Sequence, residues 1–157
     1  MYYYIVDPAQ ISQREFERVQ NQLYSSLSEF RISGETARVS GLRTMNQLVE
    51  TAISRGAKTL VAVGSDDTLH DLINALKGRE IVIGFIPLFD SELADILGIQ
   101  NVAQAAKIIA GRRIENLDLA TLANNYFLSK LSSFQSLVDA WYLLSVSQFP
   151  AFQQSNP

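Results

Sequence analysis

The stretch Val61-Ala62-Val63-Gly64-Ser65-Asp66-Asp67-Thr68-Leu69-His70-Asp71-Leu72-Ile73-Asn74-Ala75-Leu76 decides the fold. It passes from an apolar run, through a turn of small and acidic residues, into a helical pattern. The run that begins at Thr59 has no polar alternation, which suits a strand buried on both faces of a parallel sheet. Gly64 to Thr68 is a tight turn, and Leu69 to Leu76 is a helix closed by Gly78. Strand, small-residue turn and helix N-terminus bring free N–H groups and a helix dipole together where a phosphate can sit. The plain alternative is an ordinary strand-to-helix turn with Ser65 or Asp66 as its N-cap.

The same alternation extends on both sides. Tyr2 to Val6 is β-rich and stops at the turn signal Asp7-Pro8. Ser12 and Glu15 form a capping-box pattern ahead of Phe16, Val19, Leu23 and Leu27, a helix that ends near Gly34. Thr36 to Val39 predicts a second strand. Leu42 to Ser54 predicts a helix with Met45, Leu48, Val49 and Ala52 inward and Gly56 as its stop. Ile81 to Ile86 is another buried strand, ended by Pro87. Short helices follow over Ser91 to Leu97 and Val102 to Ile109, the second closed by Gly111. Strands alternating with helices at this spacing give βαβ units with crossover helices on both faces. After Arg113 the pattern changes. Ile114 to Leu122 and Tyr126 to Leu131 flank Asn124-Asn125, a hairpin signal. Leu131, Phe134, Val138, Trp141 (or Tyr142) and Leu144 predict an amphipathic helix within 131–149, buried on the sheet or across a symmetric homodimer.

At 157 residues the chain is the size of one domain with a full core. A formal charge of −3 argues against nucleic acid as a partner. The absence of cysteine removes disulfides and thiol chemistry, and the single His70 removes multi-histidine zinc sites. No apolar run is long enough for a transmembrane segment, and Met1 to Gln10 lacks a signal-peptide pattern, so a soluble cytoplasmic protein is expected.

Gly64-Ser65-Asp66-Asp67-Thr68 resembles the Gly-Gly-Asp-Gly-Thr phosphate loop of diacylglycerol, sphingosine and NAD kinases. The surrounding order resembles the diacylglycerol kinase catalytic family more than the NAD kinases. Tyr4 to Ala9 is similar to its opening strand and Asn-Pro turn, and Ile83 to Leu88 to the strand before its second glycine loop. Ser91-Glu92-Leu93-Ala94-Asp95-Ile96-Leu97-Gly98-Ile99 is similar to its Asn-Asp-Phe-Ala-Arg-x-Leu-Gly-Ile helix. Ala103 to Gly111, Leu117-Asp118-Leu119 and Asn125-Tyr126-Phe127 extend the likeness over about residues 2–128.

The resemblance implies a three-layer, Rossmann-like α/β fold of the diacylglycerol kinase and NAD kinase type, with an appended hairpin and helical tail. The domains expected are 1–113, nucleotide-binding-like, and 114–157, packed on it or on a second copy. It implies ATP and Mg²⁺ as cofactors and phosphorylation of a lipid hydroxyl as the family activity. The residues it assigns to the nucleotide are Ser40, Gly64, Ser65, Asp66, Asp67, Thr68, Asp90 and Ser91, with Asp66 and Asp67 toward the metal. For Ser40 an N-cap role stands beside the nucleotide role. Asp118 is either part of a metal network or the end of a strand, and His70 reads as a partly exposed helix residue rather than a base.

The departures from the family pattern bear on activity. Ser65 and Asp67 replace two loop glycines, and glycine there lets backbone approach phosphate. Like charges at about 4 Å and an effective dielectric near 20 repel by about 4 kcal/mol, so Asp67 opposes a bare phosphate unless Mg²⁺ bridges the two. Phe89-Asp90 stands for the second glycine loop, one residue short. The second domain that holds the family's lipid pocket and catalytic carboxylate has no counterpart beyond the hairpin, so no catalytic base is assigned. The expected function is a lipid kinase-like nucleotide-binding domain, impaired or inactive as this chain alone. The alternative is a non-catalytic nucleotide sensor or assembly module, and NAD kinase chemistry is a weaker third.

Overall fold

The computed structural model describes residues 1–8, 12–117, 119–122, 125–127 and 143–146. Its elements alternate as the apolar pattern requires. They are β1 (Tyr2–Val6), α1 (Gln13–Glu29), β2 (Glu35–Arg38), α2 (Met45–Ser54), β3 (Thr59–Gly64), α3 (Asp66–Leu76), β4 (Val82–Pro87), α4 (Glu92–Ile96) and α5 (Val102–Gly111). Then follow β5 (Ile114–Leu117), β6 (Ala120–Leu122), β7 (Asn125–Phe127) and β8 (Leu143–Val146). One six-stranded sheet has the order β2-β1-β3-β4-β8-β5. Its first four strands are mutually parallel.

β3 is buried along its whole length and lies between β1 and β4, which accounts for its unbroken apolar sequence. Val61 and Ile83 are both completely buried in neighbouring parallel strands, and Gly64 stands opposite Pro87 at their carboxyl ends. Helix α1 packs with α5, and α2 with α3. Right-handed crossovers put α1 on one face of the sheet and α2 and α3 on the other, because β1 passes to β2 in one direction and β3 to β4 in the opposite one. Met45, Leu48, Val49 and Ala52 face the core as their spacing predicts. The Ser12–Glu15 capping box is present, with both reciprocal bonds.

Four local expectations are corrected. Helix α3 starts at Asp66 rather than Leu69, because Ser65 caps it. Gly111 is the last residue of α5, and the left-handed turn after it falls to Arg112. Among the described residues the hairpin is β6 and β7, which pair with Leu122 opposite Asn125, so Asn125 is a strand residue, and Ile114–Leu117 leaves to join the main sheet. The helix predicted through 131–149 does not hold at Leu143–Val146. That segment is strand β8, antiparallel to β4 and parallel to β5. A short apolar run fits either period, and here two open strand edges offer it backbone partners on both sides. Leu131, Phe134, Val138 and Trp141 lie outside the described residues.

Candidate functional site

The strand order reverses between β1 and β3, so the crevice outside their carboxyl ends is the switch point at which open α/β sheets bind ligands. Asp7 follows β1 there, and Gly64 to Thr68 follows β3. The Asp7 N–H donates to the Val63 carbonyl at 2.9 Å, and the Thr68 hydroxyl lies 3.5 Å from Asp7 Oδ2.

The turn itself is a closed helix cap. Ser65 is the N-cap of α3, its Oγ accepting from the Thr68 N–H at 3.4 Å. Thr68 Oγ1 accepts the Ser65 N–H in return at 3.1 Å. The plain reading of this turn is therefore realised locally, with Ser65 as the cap. Two donors that could face a phosphate are spent inside the turn, leaving the amides of Asp66 and Asp67 without an acceptor among the described residues. Two carboxylates in the first turn already neutralise part of the positive end of the helix dipole.

Asp66 connects this turn to the next one. Its Oδ1 accepts the Ser91 hydroxyl and its Oδ2 accepts the Leu93 N–H at 3.3 Å. Ser91 is buried and caps α4, its Oγ accepting the Ala94 N–H at 2.8 Å. The Leu88 N–H bonds the Gly64 carbonyl at 3.0 Å, tying the two loops at a second point. Beside them is a cavity of about 320 Å³ whose lining includes Arg18, Gln22, Pro87, Asp90, Ser91 and Asn101.

The electrostatics are acidic. The Asp71 carboxyl is pushed above the ordinary aspartate range, first by partial burial and then by the charges of Asp67 and Asp7, with His70 acting the other way. His70 is half-buried, and its Nε2 has no hydrogen-bond partner among the described residues. One turn further on, Asn74 clasps the hairpin. Its Oδ1 accepts the Tyr126 N–H at 2.7 Å and its Nδ2 donates to the Tyr126 carbonyl at 3.0 Å.

Of the residues expected at the site, Gly64, Ser65, Asp66, Thr68 and Ser91 form one connected group. Asp67 and Asp90 are exposed beside it. Ser40 follows β2 at the same edge of the sheet and is exposed in a tight turn, exchanging backbone bonds of 3.0 and 3.1 Å with Arg43. The N-cap role considered for Ser40 belongs to Thr44, which forms a capping box with Gln47. That pattern, Thr44-x-x-Gln47, was legible in the sequence. The pairing of Thr68 with Asp7, and of Asn74 with Tyr126, had no sequence signal because each joins segments far apart in the chain. Ala9, Gln10, Ile11 and Asp118 lie outside the described residues.

Magnesium fits this arrangement only in part. Both oxygens of Asp66 are engaged by protein donors, and among the described residues no group of three or more acidic or histidine side chains is placed to hold a metal. Asp67 and Asp90 offer exposed carboxylates beside the turn, and Mg²⁺ bound through one carboxylate takes its other ligands from water and phosphate.

Comparison with known proteins agrees with this architecture. A diacylglycerol kinase from Bacillus anthracis str. Sterne superposes with a TM-score of 0.67 at 20% identity, covering 81% of this chain and 45% of that one. Two further structures from the same organism each give 0.68, at 21% and 20% identity, covering 46% and 44% of their own length. The chain thus spans under half the length of these structures. Curated proteins give no significant match. The profile of the diacylglycerol kinase catalytic domain matches residues 3–122, most of the chain, and the chain belongs to that family.

Proposed function

We propose that this chain is the nucleotide-binding part of a lipid kinase-like protein and that, by itself, it transfers little or no phosphate. The observation that carries the reading is the common carboxyl edge of β3 and β4, where Gly64 and Pro87 stand side by side and Asp66 ties the two following loops together. Residues 1–113 form the nucleotide-binding unit in this reading, and 114–157 the appended part. The ligand is ATP, with its phosphates at the Asp66 and Asp67 amides. Asp67 is the side chain that would hold Mg²⁺ bound with the nucleotide. The ion neutralises phosphate charge. The acceptor in the family activity is a lipid hydroxyl, and a cytoplasmic location goes with this reading.

The closed capping box favours a second reading, a sensor or assembly module that has lost the chemistry. Ser65 and Thr68 use on each other the donors that an active phosphate loop turns toward its ligand. A titration with ATP, with and without Mg²⁺, followed by labelled-phosphate transfer to a panel of lipids tests nucleotide binding and transfer in turn. Binding without transfer supports the proposal and a sensor role. Robust transfer by the purified chain overturns the inactive reading. Absence of binding leaves the assembly module.

A further inference from the structure

We propose that Asp66 is a positioning residue that latches the loop after β4 to the phosphate-loop turn, and not a metal ligand in this protein. The inference rests on the nucleotide-binding reading for its consequence, but its geometry stands apart from it. A metal-binding carboxylate must turn a lone pair toward the ion. Here each Asp66 oxygen is already directed to a protein donor, Oδ1 to the Ser91 hydroxyl and Oδ2 to the Leu93 N–H. Those donors belong to the first residues of α4 and to its cap, and Ser91 in turn holds the Ala94 N–H. One carboxylate therefore gathers the start of α4, while the Leu88 amide on the Gly64 carbonyl fixes the other end of the same loop.

The latch couples two ligand-facing segments that the sheet leaves independent. β3 and β4 set where the loops begin, at Gly64 and Pro87, with one further backbone bond from the Leu88 amide to the Gly64 carbonyl. Beyond that point Asp66 and Ser91 decide how far apart Asp67 and Asp90 stand, the two exposed carboxylates of these loops. Turning Oδ1 to Mg²⁺ would cost the Ser91 bond and leave the buried Ser91 hydroxyl without its acceptor.

The test uses the full chain and the variants Ser91→Ala, Ser91→Thr, Asp66→Asn and Ser91→Ala with Asp66→Asn. Amide hydrogen exchange is followed over residues 88–97, Mn²⁺ binding by calorimetry with the metal alone, and ATP affinity by titration. A latch predicts exchange about tenfold faster in Ser91→Ala, from losing a bond to a charged group, with restoration in Ser91→Thr. The double variant should be no worse than the poorer single one, in exchange and in ATP affinity alike. Mn²⁺ affinity should be the same in Asp66→Asn as in the unaltered chain. The latch is overturned if Ser91→Ala leaves the exchange of 88–97 unchanged, if the two substitutions add, or if Asp66→Asn abolishes a Mn²⁺ affinity that Ser91→Ala retains. If the unaltered chain binds no ATP, the nucleotide reading fails while the exchange and Mn²⁺ arms still decide the latch.

Discussion

A β-carbon placed on Gly64 would fall 2.3 Å from Thr68 Oγ1, far inside contact distance. Thr68 is buried and folds back over the turn to take the Ser65 amide, so the strand must end on a residue without a side chain. The glycine that reads as a phosphate-loop signature is thus required by packing within the turn. Gly64→Ala should cost about 1–3 kcal/mol, the usual range for overpacking a rigid site. Urea denaturation measures it. Thr68→Ala placed in the same chain removes the clashing oxygen and should make the second change cheaper than the first was alone.

Asp67 is the exposed charge of the turn. Asp67→Gly should tighten metal-free ATP binding, by less than about tenfold because solvent screens an exposed carboxylate. Titration without divalent ions reads this directly. If the carboxylate instead serves Mg²⁺, the same variant weakens Mg-ATP and leaves the metal-free affinity alone.

The raised Asp71 carboxyl gives a pH dependence. The fold opposes its ionisation, so its cost is absent below the unfolded-state value, grows as pH climbs toward the higher folded-state value, and is complete above it. Asp71→Asn should therefore raise the melting temperature at neutral pH and leave it unchanged in strong acid. Asp67→Asn, which removes the larger of the two repelling charges, should shrink that difference. Melting curves across the acid range would contradict the assignment if the gain were greatest at low pH.

Asn74 pairs with Tyr126 as a strand would, through one donor and one acceptor. Asn74→Ala leaves two backbone groups of β7 to find water and should cost about 1–3 kcal/mol, offset by roughly half a kcal/mol of better helix propensity in α3. Exchange at the Tyr126 amide should accelerate well before the core of the sheet opens. Equal protection in the variant would dismiss the clasp.

β5 reaches the parallel strands only through β8, where Ser145 stands opposite Val82 on one side and Asn116 on the other. Ser145→Pro puts a residue without an N–H into an interior strand, a change expected to cost about 3 kcal/mol or more. Deleting 132–157 removes the strand altogether and should lower both melting temperature and solubility by opening the β4 edge. A truncated chain with an unchanged melting curve would show that β8 contributes nothing.

The sequence by itself determined the order of elements from β1 to α5, because each was written in local terms: an unbroken apolar run for β3, a heptad-like stripe for α2, a capping box at Ser12 and Glu15. It also determined the family, since the order of short motifs around Gly64 survives the loss of individual glycines. The tertiary structure decided what those residues do. Whether Ser65 faces a ligand or caps its own helix depends on where Thr68 is packed. Whether Asp66 is open to a metal depends on Ser91, which lies 25 residues further along the chain. The fate of Leu143–Val146 was likewise beyond local reading, because its strand conformation comes from the edges of β4 and β5. Periodicity encodes which face of an element is buried; hydrogen-bond partners between distant segments exist only once the chain has brought them together.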